Sequence, residues 1–510
     1  MKQIKPIFQL PQTLPKFYKS SASEQVLIEF NKGEFVYVVG IVDVRVLIGE
    51  IEVLGFTISA DSPTTTLYSS GFHGLISIGS NSEQKVTVLL QKSSHTSMWQ
   101  KFMKDYAPSF SMFDIKDWRL IPSKLILELE KDLGCGFDLS ITPMSNQRLV
   151  IDEQWKGFSN DLLNRPINQK IKVLLAGYKK SGKSTLMRYF INRCLKKWKK
   201  ILVLDLDIGQ SEFTMPGCVS AFIVDTPLLG PNFTHMLQPF KSYFFGSTDV
   251  TSNIPLYHKI VKIIVKDIEN IDLNCIPCFI NTMGFVEGSG LEILYNILSE
   301  TKPSDVIQLK FDERQDLNLH SEIVNDNVES TLSYDLWYFI STVKNDSARA
   351  PQFRENIINK HDLQHLITTS YFSRCLGCTD IYFSDVVPYK INFSNISIKI
   401  NDVEELTKAE YLKTINTNVI VLCVSKATTD LCECVGFGIV RNVNISTGDI
   451  YVVTPVAPDI LNHVNQFRLW IFKYPPSTFY SIGTTNSKYC NVKQDNFFNE
   501  NVARHYKVML

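Results

Sequence analysis

The chain has 510 residues, 52 Lys and Arg against 52 Asp and Glu, 44% apolar residues and 11 cysteines. That length and apolar content suit two to four folded domains and exclude a disordered chain, a collagen-like repeat or a disulfide-stapled miniprotein. A formal charge of zero excludes a generally cationic, nucleic-acid-coating protein, so any nucleic-acid binding has to come from a local patch.

Residues 1–20 are interrupted by prolines and lack the apolar segment of a secretory signal. No later stretch is apolar for long enough to span a membrane, so no membrane association is expected. An odd number of cysteines without a signal fits reduced thiols in cytosol or nucleus. The CxxC pairs Cys275/Cys278 and Cys375/Cys378 lie too far apart for a zinc ribbon, and CIPCFI reads as a buried strand rather than a metal site.

From about Val26 to Leu90 the pattern is β-like: EFVYVVGIVDVRVLIGEIEVLGFTI, then a second run at 85–90. This predicts an antiparallel sandwich or barrel, and residues 1–147 are assigned to an N-terminal β-rich domain. In the middle third, apolar runs at Val173–Leu175, Ile201–Leu204, Val261–Val265, Pro277–Ile280 and Val306–Leu309 read as strands. They alternate with helical segments, the pattern of βαβ units around a mostly parallel sheet. Residues 148–378 are therefore read as a central α/β domain. From about Asp380 the chain is β-rich again (VIVLCV, GFGIVRNVNISTGDIYVVTPV, FRLWIF), with a hairpin turn at Ser446-Thr447-Gly448-Asp449, giving a C-terminal β-rich domain over 379–510.

The sharpest motif is Gly177-Tyr178-Lys179-Lys180-Ser181-Gly182-Lys183-Ser184, followed by Thr185, which fits G-x-x-x-x-G-K-[ST]. An apolar strand precedes it, and Leu186, Phe190, Ile191, Cys194 and Leu195 follow at helical spacing. Glycines let backbone amides close around phosphate oxygens at a helix N-terminus, where the dipole favours anions. Lys183 is then expected to neutralise the β- and γ-phosphates of a bound nucleotide, and the Ser184 hydroxyl to ligate Mg²⁺. The next strand ends in Asp205-Leu206-Asp207, followed by Gly209-Gln210. One of these carboxylates is expected to hold Mg²⁺ and the other to take a proton from an attacking hydroxyl, or else Asp205 caps the next turn.

These motifs and several others resemble the polynucleotide 5′-hydroxyl kinases, whose eukaryotic branches are a nucleolar kinase of ribosomal-RNA processing and a cleavage-factor/tRNA-splicing kinase. The resemblance runs through GEFVYVVGIVDVRVLIGEIEVLG with Tyr68-Ser69-Ser70, and through Asp205-Leu206-Asp207-Ile208-Gly209-Gln210-Ser211-Glu212-Phe213-Thr214. It continues in Thr226-Pro227-Leu228-Leu229-Gly230-Pro231-Asn232-Phe233-Thr234-His235, in Asn281-Thr282-Met283-Gly284-Phe285-Val286-Glu287-Gly288, and in GFGIVR and YVVTPV near the C-terminus. The Gln-Ser-Glu-Phe-Thr and Pro-Leu-Leu-Gly-Pro strings are similar to the nucleolar branch.

The resemblance implies a P-loop kinase flanked by β-rich domains, using ATP and Mg²⁺ to phosphorylate RNA with a 5′-hydroxyl end. It also implies an endonuclease partner and a place in pre-rRNA spacer processing in the nucleus and nucleolus. By residue, it implies that Asp207 readies the RNA hydroxyl, that Asp205 is a secondary metal acid, and that Gln210 and His235 contact the substrate. Phe285 stands where the other branch presents a base-stacking tryptophan. Arg349 and Arg354 are the candidate arginines of a mobile lid, although the chain has Gln364 near where a further arginine belongs. Two alternatives stay open: a catalytically weak ATP-binding scaffold of an endonuclease complex, and the sister-branch kinase. The basic run Lys196-Lys197-Trp198-Lys199-Lys200 ends a helix and is read as structural.

Overall fold

The N-terminal third is organised around one long strand. The computed structural model describes residues 15–19, 25–69, 75–93, 137–140, 149, 151–270, 276–311, 315–327, 332–341, 360–376, 383, 386–400, 406–425 and 431–470. In it β1 (Lys16–Lys19), β2 (Gln25–Phe30), β3 (Phe35–Ile48), β4 (Glu50–Val53), β5 (Phe56–Ser59), β6 (Thr65–Ser69), β7 (Ile76–Gly79), β8 (Val86–Lys92) and β9 (Phe137–Ser140) follow in order. All pairings are antiparallel, and β3 pairs with β6, β7, β8 and β9, while β4 and β5 form a separate hairpin. Alternation places Val36, Val38, Val42, Val44 and Val46 in the core, as period-two side-chain placement requires.

Helix α1 (Glu153–Asn164) follows, its first turn capped by the Asp152 side chain accepting from the Gln154 amide. Then come β10 (Lys172–Gly177), α2 (Lys183–Cys194), β11 (Ile201–Asp205), β12 (Cys218–Val224), β13 (Lys241–Phe244), α3 (Ile254–Glu269), β14 (Cys278–Asn281), α4 (Ser289–Thr301), β15 (Asp305–Lys310), α5 (Ser321–Asn327), β16 (Asp335–Ile340) and α6 (Lys360–Ser373). The sheet order is β16-β15-β10-β14-β11-β12-β13. Neighbours from β16 to β11 are parallel, and β12 and β13 extend the sheet antiparallel. Consecutive residues serve opposite layers. Val173, Leu175, Val203 and Phe279 pack with Leu186 and Phe190 of α2, whereas Leu174, Leu202, Leu204 and Ile280 pack with Ile260, Ile264 and Leu294 of α3 and α4. The first of these cores continues without interruption into Val53, Leu54 and Ile58 of the β4–β5 hairpin.

By packing the chain divides into two units, Met1–Tyr371 with Val424–Gly436, and Phe372–Cys423 with Phe437–Leu510. In the second unit the elements are β17 (Tyr389–Asn392), β18 (Ser397–Lys399), α7 (Lys408–Ile415), β19 (Val419–Ser425), β20 (Cys432–Asn444), β21 (Asp449–Val453), α8 (Pro458–Leu461) and β22 (Gln466–Leu469), with β19 and β20 partly in the first. The hairpin at Ser446–Asp449 joins β20 to β21 as the sequence suggests.

Two expectations are corrected. Val261–Val265 is not a strand but part of α3, where Tyr257, Ile260, Val261, Ile264 and Val265 form a buried helical stripe. A short β-branched run cannot be told from a helix core by apolarity alone, and the deciding signals were Asn253, which caps Leu256, and the proline in the first turn. The mostly parallel sheet is as expected, with β12 and β13 as its antiparallel extension. Finally, Cys423 and Cys432 are disulfide-bonded rather than reduced. Cys278 is free and buried in β14, its thiol pushed up to about 12 by burial. Among the described residues no helix is long and apolar enough to cross a membrane.

Candidate phosphoryl-transfer site

β10 delivers the chain to Gly177 at φ +147°, where a Cβ would sit 2.6 Å from the Leu309 carbonyl oxygen, so only glycine fits. Lys180 and Gly182 are left-handed, and α2 starts at Gly182 without a side-chain cap. The first-turn amides of α2 are thus left for a ligand, at the positive end of the helix dipole. Ser181 Oγ is buried with no hydrogen-bond partner among the described residues, a donor suited to a phosphate oxygen. The buried Lys183 ammonium donates to the carbonyls of Gly177 (2.7 Å) and Tyr178 (2.9 Å). Burial pulls it down to about 8, against the opposing pull of the Asp207 charge. Ser184 and Thr185 are half-buried in the first turn, and Lys179 and Lys180 are exposed.

The two acids at the end of β11 have different tasks. Asp205 is 1% exposed. Its Oδ2 accepts from Ser211 Oγ (2.9 Å) and the Glu212 amide (2.7 Å), its Oδ1 from Asn281 Nδ2 (2.9 Å) and the Asp207 amide (3.3 Å). Burial pushes this carboxyl up to about 7, with the Asp207 charge adding to the rise and the donors opposing it. Four donors fill the acceptor capacity of a carboxylate. Asp205 therefore does not fit the metal-ligand role expected of it and acts as the hub of its loop. Asp207 is half-buried, and its Oδ1 accepts from the amides of Gly209 and Gln210, both at 2.9 Å. The turn-capping expected of Asp205 thus falls to Asp207, which fixes the direction of its carboxylate. Mg²⁺ takes few protein ligands and keeps waters and phosphate oxygens, so the half-buried Ser184 hydroxyl suits it and Asp207 is left for the acceptor. Among the described residues no cluster of three or more His, Cys, Asp or Glu is poised for a metal.

Segment 281–288 packs directly on the phosphate loop. A Cβ on Gly284 would lie 2.6 Å from Lys179 Cα and 2.7 Å from its nitrogen, and Thr282 Oγ1 donates to the Leu175 carbonyl at 2.6 Å. The Tyr178 hydroxyl is raised by burial and then by its interaction with Glu287. Beside this contact Phe285 is 40% exposed, so it is not a core residue. From the other side Ser341 Oγ donates to the Ser181 carbonyl at 2.8 Å, and Gln364 Nε2 donates to the Gly209 carbonyl at 3.2 Å. Arg349 and Arg354 lie outside the described residues.

His235 is held away from the solvent. Its Nε2 is 2.8 Å from Glu212 Oε1, and Nδ1 is 3.5 Å from Thr234 Oγ1. Both nitrogens have partners in the fold, which gives the ring a structural task in place of the expected substrate contact. Lys197 is also structural: its ammonium donates to the Leu163 and Arg165 carbonyls and lies 4.7 Å over the buried Trp198 ring. Sequence reasoning missed Arg188, Glu212, Asn281 and Ser341 as residues that build the site. Glu212 and Asn281 stand in strings that carry the resemblance, but no spacing rule reveals a polar group whose partner is on another element.

Three family models match: "Polynucleotide 5'-hydroxyl-kinase NOL9, N-terminal domain" over 14–107, "mRNA cleavage and polyadenylation factor CLP1 P-loop" over 177–356, and "NOL9-like, C-terminal domain" over 384–472. All three matched parts of the chain thus resemble the polynucleotide 5′-hydroxyl kinase family. Relatives of the chain include proteins named polynucleotide 5'-hydroxyl-kinase from Caenorhabditis briggsae, 32% identical over 56% of this chain and 55% of the relative, and from Danio rerio, 28% identical over 64% and 50%. The chain thus spans about half the length of these two relatives. It covers more of the Dictyostelium discoideum relative, which is 25% identical over 93% of this chain and 84% of its own length. Among solved structures, Clp1p in its complex with Pcf11p matches the fold with a TM-score of 0.55 and 16% identity, over 89% of this chain and 98% of its own.

Proposed function

We propose that this chain is an ATP-dependent polynucleotide 5′-hydroxyl kinase that moves the γ-phosphate of ATP onto the 5′-OH of RNA. The observation that carries this reading is a phosphate loop with a buried Lys183 at the uncapped start of α2, built on the same parallel sheet as β11, after which Asp207 holds a carboxylate oriented by two backbone amides. The names of the family relatives support the same activity.

In this reading the α2 amides and Lys183 hold the β- and γ-phosphates. Asp207, with Oδ1 pinned by two amides, orients the RNA 5′-OH and takes its proton. The hydroxyl oxygen then bonds to the γ-phosphorus as the bond from phosphorus to the bridging oxygen of ADP breaks. Mg²⁺, when bound, supplies positive charge over the β- and γ-oxygens, and Ser184 offers it a hydroxyl. Phe285 has the exposure to stack the terminal base. Our reading of the activity's setting, pre-rRNA spacer processing in the nucleolus beside an endonuclease, draws on the resemblance to the nucleolar branch and is supported by the two NOL9-type terminal models.

The test is transfer of label from γ-labelled ATP to a 5′-OH RNA oligonucleotide. Wild type should transfer, and Asp207→Asn should bind ATP yet transfer about 10²-fold more slowly, the usual scale for a proton-accepting group. Near-normal turnover in that variant would remove Asp207 from the role, and an inactive, well-folded wild type would remove the kinase.

A further inference from the structure

The reaction proposed above leaves three buried polar groups beside the site without a task. Glu212 Oε1 accepts from Arg188 Nε at 2.5 Å and from His235 Nε2 at 2.8 Å, and Oε2 accepts from Arg188 Nη2 at 3.0 Å. The three side chains are 7%, 2% and 12% exposed for Arg188, Glu212 and His235. Burial alone would raise the Glu212 carboxyl, but the guanidinium and the imidazole hold it at about 2. Burial also keeps the His235 pKa below its ordinary value, so the ring is neutral and donates through Nε2.

This cluster joins the two halves of the site. Arg188 lies on α2, the helix that starts with Lys183 and Ser184. Glu212 closes the loop that begins at Asp205, and its amide donates to Asp205 Oδ2. Asp207 sits between them, its amide on Asp205 Oδ1. His235 follows the short 3₁₀ turn Asn232–Thr234, whose Asn232 Nδ2 donates to the Ser211 carbonyl at 3.1 Å. A buried ion pair of this kind adds little net stability over an apolar replacement, whereas losing one partner is costly, so its main effect is on geometry.

We propose that Glu212, clamped between Arg188 and His235, is a positioning residue that fixes the 205–212 loop, and with it Asp207, against the helix carrying Lys183 and Ser184. The activity arm of the test rests on the kinase reading; the structural arm does not.

Full-length wild type, Glu212→Gln, His235→Ala and His235→Gln are compared for transfer to a 5′-OH RNA oligonucleotide, for ATP binding and for thermal unfolding. The expected result is a roughly 10- to 100-fold lower kcat in Glu212→Gln and His235→Ala with Kd for ATP within about threefold, the scale of a misplaced reacting group. His235→Gln, whose amide N–H can still reach Glu212, should recover most of the loss. Wild-type kcat in Glu212→Gln would overturn the proposal. So would ATP affinity and melting temperature falling in step with kcat, the mark of a merely structural role. Should Glu212→Gln fail to fold, the two His235 variants decide on the same criteria. If wild type transfers no phosphate, the kinase reading falls, and a crystal structure of His235→Ala decides the positioning claim. A 205–212 loop displaced from α2 sustains it, and an unmoved loop overturns it.

Discussion

Lys183 shows most directly how burial prepares a side chain for an anion. Held at about 8 against an ordinary 10.5, the folded residue binds fewer protons than the unfolded one between those values. Its burial therefore costs stability at neutral pH, and the cost shrinks as pH rises from about 8 towards 10.5. A phosphate placed beside it raises the pKa again, so ATP binding near pH 8 should take up a proton and weaken as pH rises further. Calorimetric titration in buffers of different ionisation enthalpy checks this, and a binding heat independent of buffer at pH 8 would contradict it. Lys183 and Ser184 were legible because the loop motif fixes their chemistry by spacing alone. The division of labour between Asp205 and Asp207 was not, since it depends on Ser211, Glu212 and Asn281 approaching from elsewhere in the fold.

Among the elements, the most consequential contact is that between segment 281–288 and the phosphate loop. The Gly284 Cα faces Lys179 backbone rather than a side chain that could swing aside. Gly284→Ala should push the two loops apart and weaken ATP binding by about tenfold or more, the scale of a lost fraction of close contacts and misaligned amides. A fluorescent-nucleotide titration measures this, and unchanged affinity would mean that the loops yield freely. Strands and helices of the parallel core were readable from apolar runs and their caps, while β12 and β13 were not. Their residues are buried on both sides, so CVSAFIV carries the same apolar signal as a parallel strand, and its direction is set by what it pairs with.

Across the first unit as a whole, α2 serves as a common support. Lys183 donates to the phosphate loop, Arg188 holds the acidic loop, and Asn192 reaches the turn of the β4–β5 hairpin. Asn192 is fully buried, donating to the carbonyls of Leu54 (2.9 Å) and Leu228 (3.0 Å) and accepting from the Leu228 amide (2.7 Å). Asn192→Ala strands these groups and should cost about 2–4 kcal/mol in denaturant unfolding; a loss below measurement error would show the contacts to be redundant. The layout β, then α/β, then β was visible in composition, whereas the common core of the first two parts was not, because shared packing leaves no periodic trace. The pairing of β11 with β14 sets Asp205 opposite Asn281, and the pairing of β10 with β14 sets Leu175 opposite the same asparagine. A strand inserted one step out of place would leave the buried acid facing an apolar neighbour, forcing it to stay protonated or to drag water into the core. Correct assembly of three central strands is thus proofread by a carboxylate, and a misthreaded molecule carries its own penalty before it ever meets a nucleotide.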